Sequence, residues 1–225
     1  MMPLSRRLAA EFLGTSVLLT AIVGSGIMGD QLAGGNTAIA LLANSIATGA
    51  TLVVLILTLR SISGAHFNPV VSLASAAQGQ LRWRDVPLYI VAQLAGAFAG
   101  VLIAHLMFGL RLFSASRHMR HGASQVFSEL VATLGLLLVI ELCSRFHSAA
   151  TPGAVAAYIT GAYWFTSSTS FANPAVTLAR SATDTFAGIR PSDVPGFLFG
   201  QFAGLIAALL ICRWLLLGSP STENQ

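Results

Sequence analysis

Two Asn-Pro steps, at Asn68-Pro69 and Asn173-Pro174, are the residues of this chain best suited to build a solute site. Asn is a preferred helix cap, and Pro at the first helical position lacks an amide hydrogen that would have no partner there. Each step therefore predicts the start of a helix, over 70–78 and 175–179. A helix of about ten residues spans roughly 15 Å, which is half the hydrocarbon thickness of a bilayer.

The chemistry of two such caps favours a neutral solute. We expect each Asn side-chain oxygen to accept from its own short helix, which leaves the amide hydrogens as donors. Two converging helix N-termini each carry the equivalent of about half a positive charge. The stretches 63–67 and 167–172, rich in Gly, Ser and Thr, can present backbone carbonyls to the same space. Such a site accepts hydrogen-bonding neutral molecules and repels cations.

The composition predicts that this site lies in a lipid bilayer. The chain is 55% hydrophobic and 9% charged, whereas soluble domains carry about 25% charged residues. Its mean hydropathy is +0.75. All 12 basic residues are Arg and stand mainly at the ends of apolar segments, which favours membrane orientation over nucleic-acid binding. Cys143 and Cys212 have no spacing typical of a metal site or a disulfide, and we expect no metal, cofactor or nucleic-acid partner.

Six segments are predicted to span the membrane. They are 4–28, 37–59, 86–108, 125–146, 152–166 and 194–217, and the fifth reaches the required length only by extending its ends. The first follows Arg6 and Arg7 as a secretory signal would, but its length, its Glu11 and the lack of a cleavage site predict a retained helix.

The two halves of the chain repeat. The matched landmarks are Glu11 with Glu129, Asn68 with Asn173, and Gln93 with Gln201. They keep the same order, at offsets from 173 − 68 = 105 to 129 − 11 = 118 residues. Three spans in each half predict opposite orientations, and therefore inverted repeats over about 4–108 and 125–217 in one transmembrane channel domain, 1–225. Cytoplasmic termini place seven Arg residues inside and five outside, a weak positive-inside bias.

The two boxes carry a family resemblance. Residues 63–72, Ser-Gly-Ala-His-Phe-Asn-Pro-Val-Val-Ser, and 171–176, Phe-Ala-Asn-Pro-Ala-Val, resemble the signatures of the aquaporin and glycerol-facilitator family, the major intrinsic proteins. The resemblance covers nearly the whole chain. It implies an all-α membrane protein with six tilted transmembrane helices, two re-entrant half-helices, one pore per subunit and a homotetramer. A multi-pass protein of a bacterial inner membrane suits the short chain.

The resemblance also implies the site residues. The pore centre corresponds to Asn68, Pro69, Val70, Asn173, Pro174 and Ala175. Val70 stands where the family most often has Ala, so we expect a slightly reshaped cytoplasmic half of the lumen. The outer constriction corresponds to Thr48, Gly161, Ser170 and Val176, and Val176 replaces the usual Arg. This ring implies a wide, uncharged filter.

The implied function is passive passage of small uncharged solutes. Thr48 and Val176 are similar to the residues of bacterial members associated with arsenic resistance, which favours arsenous acid beside glycerol-like solutes and water. Urea and ammonia also fit. A water or glycerol facilitator without a metalloid role is the alternative. An ion-coupled transporter would need a midplane carboxylate, and no catalytic motif indicates an enzyme.

Several polar residues leave alternatives open. In the family, the residues that match Glu11 and Glu129 support the half-helix loops, and we favour this role over a proton relay. His66 is expected as a wall residue near the cytoplasmic mouth, with gating as the alternative. Arg180 lies one turn beyond Val176, about 6 Å along the helix. It either anchors the loop, which we favour, or approaches the outer mouth.

A basic cluster stands in the long connection 109–124. Its members are Arg117, His118, Arg120 and His121. It is interpreted as a solvated loop. The alternatives are an attractor of anions in the outer vestibule and a partial replacement of the missing filter Arg.

Overall fold

The computed structural model describes residues 2–217, and the chain is all-helical within that range. The eight α-helices are α1 Leu4–Leu32, α2 Thr37–Ser63, α3 Pro69–Ala77, α4 Val86–Met107, α5 Ala123–Phe146, α6 Thr151–Phe165, α7 Pro174–Arg180 and α8 Val194–Leu215. Short 3-10 turns, Trp83–Asp85, Ser148–Ala150 and Pro191–Asp193, lead into α4, α6 and α8. The predicted cytoplasmic C-terminal end at Gln225 lies outside the described residues.

The long helices follow the predicted spans closely. Within residues 2–217, five helices are long and apolar enough to cross a membrane. The predicted fifth span is α6, with 15 residues. Both α1 and α2 continue four residues beyond the predicted ends, to Leu32 and Ser63. Hydropathy marks the apolar part of a helix, and polar residues continue its backbone hydrogen bonds beyond that part.

The two short helices begin at the predicted Pro residues. Helix α3 has 9 residues and α7 has 7, so α7 extends only about 10 Å. After Arg180 the chain turns, and Ser181 donates its hydroxyl to the carbonyl of Leu178 at 2.7 Å. Ser and Thr side chains compete in this way with helical hydrogen bonds, which favours the end of α7 at Arg180.

The helices of the two halves pack in matching ways. Helix α1 packs against α2 and α4, α5 packs against α6 and α8, and α2 meets α6 between the halves. A methyl group on Gly96 or Gly100 would collide with backbone oxygens of α1, and one on Gly200 or Gly204 would collide with those of α5. Glycine therefore permits the same close approach in each half, as is common between helices in lipid. The short helices α3 and α7 both pack between α4 and α8, and they touch each other.

Candidate functional site

Each short helix is capped by its own Asn side chain. The Oδ1 atom of Asn68 accepts from the backbone N–H of Val70 at 3.0 Å. The Oδ1 atom of Asn173 accepts from that of Ala175 at the same distance. Both caps have extended backbone, with φ of −156° and −157°, as helix caps require.

The two Asn amides cross between the halves. Asn68 donates from Nδ2 to the carbonyl of Ala172, and Asn173 donates to the carbonyl of Phe67, both at 2.8 Å. Each carbonyl belongs to the loop that precedes the other cap. The sequence predicted both amide hydrogens as free donors, but one hydrogen of each amide is used in this crossing. One donor per Asn therefore remains for a solute.

The loops before the caps have an unusual backbone. Within residues 2–217, the non-Gly residues with positive φ are Ala65, Phe67, Thr169, Ser170 and Ala172. All five lie in these two loops. Left-handed backbone is unfavourable for such residues and persists only when surrounding contacts hold it.

Glu11 holds the first loop. It is fully buried, and its Oε1 atom accepts from the N–H of His66 at 2.9 Å and from the hydroxyl of Ser63 at 2.7 Å. Its Oε2 atom accepts from the N–H of Phe67 at 2.7 Å and from Gln93 at 2.8 Å. These contacts fix the strained backbone, which is the supporting role expected from the sequence.

Glu129 holds the second loop in the same way. It is fully buried, and it accepts from the N–H groups of Phe171 and Ala172 at 2.9 and 2.8 Å. Gln201 donates to it at 2.6 Å. Gln93 and Gln201 were landmarks of the repeat but were not predicted as site residues. The signal that could have identified them as site residues is their recurrence at matched places in the two halves, as for Glu11 and Glu129.

One cavity of about 420 Å³ passes both caps. Of the predicted site residues, those that line it are Asn68, Asn173, Thr48, Ser170, Val176 and His66. Its apolar wall includes Leu52, Ile56, Leu136, Val155 and Ile159. Pro69, Pro174 and Ala175 are buried behind the caps, where they form the first turns of α3 and α7. An apolar wall with a few convergent polar groups is typical of a small-molecule site.

The prediction of Gly161 as a lining residue is wrong. Gly161 is exposed on the outer side of α6, and a methyl group there would meet only the ring of Phe165, at 4.0 Å. Tyr163 is buried and lines the cavity instead. Residues two positions apart point about 200° apart around a helix, so 161 and 163 cannot both face inward. The prediction counted back from Asn173 across the loop 166–172, whose geometry does not preserve helical spacing.

The expected effect of Val70 on the lumen is also wrong. Val70 is fully buried in an apolar cluster with Leu137, Leu205 and Ala208, and it does not line the cavity. Its neighbour Val71 does. Successive helical residues differ by about 100°, so Val70, the second residue after the cap, points into the bundle and Val71 reaches the lumen.

Ser170 and His66 present polar groups at the cavity wall. The hydroxyl of Ser170 is buried and has no hydrogen-bond partner within residues 2–217. Buried hydroxyls usually have partners, so the unpaired state of this one among the described residues is an exception. His66 is half-buried, and its Nδ1 atom lies 3.0 Å from the hydroxyl of Ser72, which fixes the ring as part of the wall.

Arg180 also lines the cavity. It is 2% exposed, its Nε–H donates to the carbonyl of Ala187, and its guanidinium carbon lies 3.4 Å from the centroid of the Phe171 ring. The residue therefore both anchors the loop and faces the lumen. The filter was expected to lack Arg at position 176, which is Val, and Arg180 adds a guanidinium to the cavity lining four residues further along the chain.

The basic loop cluster divides into surface and buried residues. Arg117 is exposed and donates to Asp184 at 2.9 Å, and hydrogen bonds from Arg117 lower the pKa of Asp184 below its usual range. His118 and His121 are exposed, as expected for a solvated loop. Arg120 is buried, and it donates to the carbonyls of Gly188 at 2.8 Å and Ser168 at 3.2 Å. It lies outside the cavity lining.

Comparisons with known proteins agree with this architecture. The family model described as Major intrinsic protein matches residues 1–165. The chain is 55% identical over 213 residues to aquaglyceroporin AqpS of Rhizobium meliloti (strain 1021), covering 95% of this chain and 91% of that protein. It is 31% identical over 216 residues to aquaporin NIP1-4 of Oryza sativa subsp. japonica, covering 92% and 77%. The X-ray structure of the aquaglyceroporin from Plasmodium falciparum has the same fold, with a TM-score of 0.73 at 23% identity, covering 94% and 95%.

Proposed function

The chain belongs to the major intrinsic protein family, and from that premise we propose that it is a passive transmembrane channel for water and small uncharged solutes. The solutes are glycerol-like polyhydroxy molecules, including arsenous acid. The observation that carries this proposal is the cavity of about 420 Å³ that passes both crossed Asn caps.

The distribution of polar groups supports an amphipathic solute. Apolar side chains such as Leu52 and Ile56 form one wall, while Thr48, Ser170 and the two Asn amides offer hydrogen bonds. A polyol can slide its carbon side along the apolar wall while its hydroxyls exchange partners. Arsenous acid is uncharged near neutral pH and carries three hydroxyls, so it matches the same surface. Val176, at the position where the family usually has Arg, is expected to leave room for such solutes.

The engaged carboxylates support passive passage over ion coupling. Glu11 and Glu129 accept three or more hydrogen bonds each behind the loops, and neither lines the cavity. A coupled transporter needs a carboxylate that faces both substrate and ion. The same contacts argue for their supporting role and against a proton relay.

The outer surface supports a multi-pass protein of the cell membrane. Large apolar side chains such as Leu13, Leu57, Phe199 and Ile206 are more than half exposed. Such a surface fits lipid tails or neighbouring subunits. We propose inverted repeats in one channel domain, a homotetramer and cytoplasmic termini in a bacterial inner membrane.

The test is stopped-flow light scattering on proteoliposomes with water, glycerol and arsenous acid. A passive channel gives solute fluxes that are proportional to the gradient and unaffected by sodium or proton gradients. Fluxes equal to those of protein-free liposomes would contradict the proposal. Passage of water and glycerol without arsenous acid would favour the alternative without a metalloid role.

A further inference from the structure

We propose that Arg180, in place of residue 176, supplies a guanidinium group to the pore beside the loop of the second cap. With the hydroxyl of Ser170 it forms a polar subsite that excludes cations and holds the hydroxyls of a solute. This inference rests on the proposed channel function and adds a specificity-determining pair to it.

The guanidinium of Arg180 is held at one edge and on one face. Its hydrogen bond within residues 2–217 is the one from Nε to the carbonyl of Ala187, and the ring of Phe171 covers one face of the group. The terminal nitrogens Nη1 and Nη2 make no hydrogen bond to the described residues, and the side chain lines the cavity. Guanidinium donors fixed in this way point in set directions and suit oxygen acceptors of a solute.

The charge of Arg180 is not neutralised by a carboxylate contact. In the described part of the chain, the ion pairs join Asp85 to Arg7, Arg82 and Arg84, Asp184 to Arg117, and Asp193 to Arg190. Glu129, the buried acid of this half, accepts from the loop backbone and from Gln201. The positive charge therefore acts on whatever enters the cavity, and a poorly hydrated site strengthens its effect.

Ser170 completes the subsite from the loop before the second cap. Its hydroxyl is buried without a partner among the described residues, and Ser170 lines the same cavity as Arg180. Arg180 can only donate, whereas Ser170 can both donate and accept. Together they fit a small neutral molecule with at least two oxygen atoms, one accepting from the guanidinium and one donating to the serine.

Arg120 provides a matched comparison for the structural role of Arg180. Its guanidinium carbon lies 5.1 Å from the centroid of the same Phe171 ring, and it also donates to loop carbonyls. Burial lowers the pKa of Arg120 to about 10, so the group stays charged at neutral pH. The difference is position, because Arg120 does not line the cavity.

The experiment compares urea with the guanidinium ion, which are similar in shape and differ in charge. Proteoliposomes of the native protein, Arg180→Gln, Arg180→Lys and Arg120→Gln are tested for urea flux, for guanidinium flux, and for block of urea flux by guanidinium. Guanidinium is kept below unfolding concentrations, choline chloride balances ionic strength, and fluxes are normalised to folded protein.

We expect the native protein, Arg180→Lys and Arg120→Gln to exclude guanidinium. Arg180→Gln is expected to admit guanidinium at least about tenfold more readily, because the repelling positive charge of Arg180 has been removed. Its admission is measured as guanidinium flux, or as block of urea flux by guanidinium held at the Asn68–Asn173 junction. Exclusion by Arg180→Gln as strong as in the native protein would overturn the inference. If guanidinium enters Arg120→Gln as readily as Arg180→Gln, the effect comes from loss of loop anchoring, and the inference is overturned as well. Failure of the native protein to pass water, glycerol or urea would overturn the channel function instead.

A second pair of variants tests Ser170 and does not depend on the folding of the Arg180 variants. Ser170→Ala removes the unpartnered hydroxyl, while Ser168→Ala removes a buried hydroxyl that accepts from the N–H of Ser170 and does not line the cavity. We expect Ser170→Ala to lower the glycerol-to-urea permeability ratio roughly threefold or more, since one hydrogen bond to glycerol is lost. Ser168→Ala leaves the ratio unchanged. An unchanged ratio in Ser170→Ala would remove that residue from the subsite.

Discussion

The hydroxyl groups of Thr48 and Tyr163 lie 3.2 Å apart and join α2 to α6 in the wall of the cavity. Both residues are buried, and both line the cavity. One side chain comes from each half of the repeat, so this contact fixes the width of the lumen between the halves. Tyr163 therefore occupies the place in the wall that the sequence assigned to Gly161.

The first prediction tests this assignment with two substitutions on the same helix. Gly161→Leu adds bulk to the outer surface of α6, where nothing but the Phe165 ring approaches. We expect glycerol flux to change less than about twofold. Ile159→Trp adds bulk to a lining position. Because the surrounding interior is closely packed, the larger ring has to occupy the lumen, and glycerol flux is expected to fall at least about tenfold. Loss of flux in Gly161→Leu, with a native oligomeric state, would return residue 161 to the lumen.

The second prediction concerns Val176→Arg. An added guanidinium narrows the cavity beside Arg180 and places two positive charges within one helical turn. Stopped-flow measurements are expected to show glycerol and arsenous acid fluxes reduced at least about tenfold, with a smaller reduction for water. Val176→Leu is the control, because it adds one methylene without charge. Unchanged solute fluxes in Val176→Arg would show that residue 176 does not restrict the pore.

The third prediction concerns Val70→Ala. Val70 packs in the cluster with Leu137, Leu205 and Ala208, so the loss of two methyl groups is expected to lower the free energy of unfolding by about 1–2 kcal/mol. Glycerol and water fluxes per folded protein are expected to stay within about twofold of native values. Thermal denaturation in detergent and stopped-flow scattering measure the two effects. A changed solute selectivity with native stability would place Val70 at the lumen.

The fourth prediction concerns Glu129→Gln. Two backbone N–H groups and Gln201 donate to this carboxylate, and an amide offers one oxygen and two hydrogens in its place. The strained loop is expected to lose support, and the yield and thermal midpoint of folded protein fall by more than in Val70→Ala. Glu11→Gln is expected to lower the yield and the thermal midpoint of folded protein in the same way. Native stability with a new pH dependence of flux would instead favour a proton relay.

Local patterns in the sequence predicted much of the architecture. Asn-Pro steps encode a cap and a first turn within two residues, and runs of apolar residues encode spans, so the starts of α3 and α7 fall at the predicted Pro residues. The repeated Glu residues were found because each stands near the start of an apolar span and at a matched place in the sequence repeat. These features depend on neighbours in the chain.

Features that depend on loop geometry were not predicted. The lining position of Tyr163 depends on how the loop 166–172 turns after α6, and no local spacing encodes that turn. The direction of Arg180 depends on the turn that follows α7 and on the carbonyl of Ala187, which come together only in the folded chain. The crossed Asn amides depend on contact between the halves.

The crossed amides also bear on how the protein is made. Asn68 needs the carbonyl of Ala172, and Asn173 needs that of Phe67, so neither half completes its own cap. During synthesis, Asn68 is made 104 residues before Ala172, and in that interval its partner is missing. A nascent chain therefore carries the parts of a pore without its finished centre. The centre is complete only when the second half supplies Ala172 and Asn173.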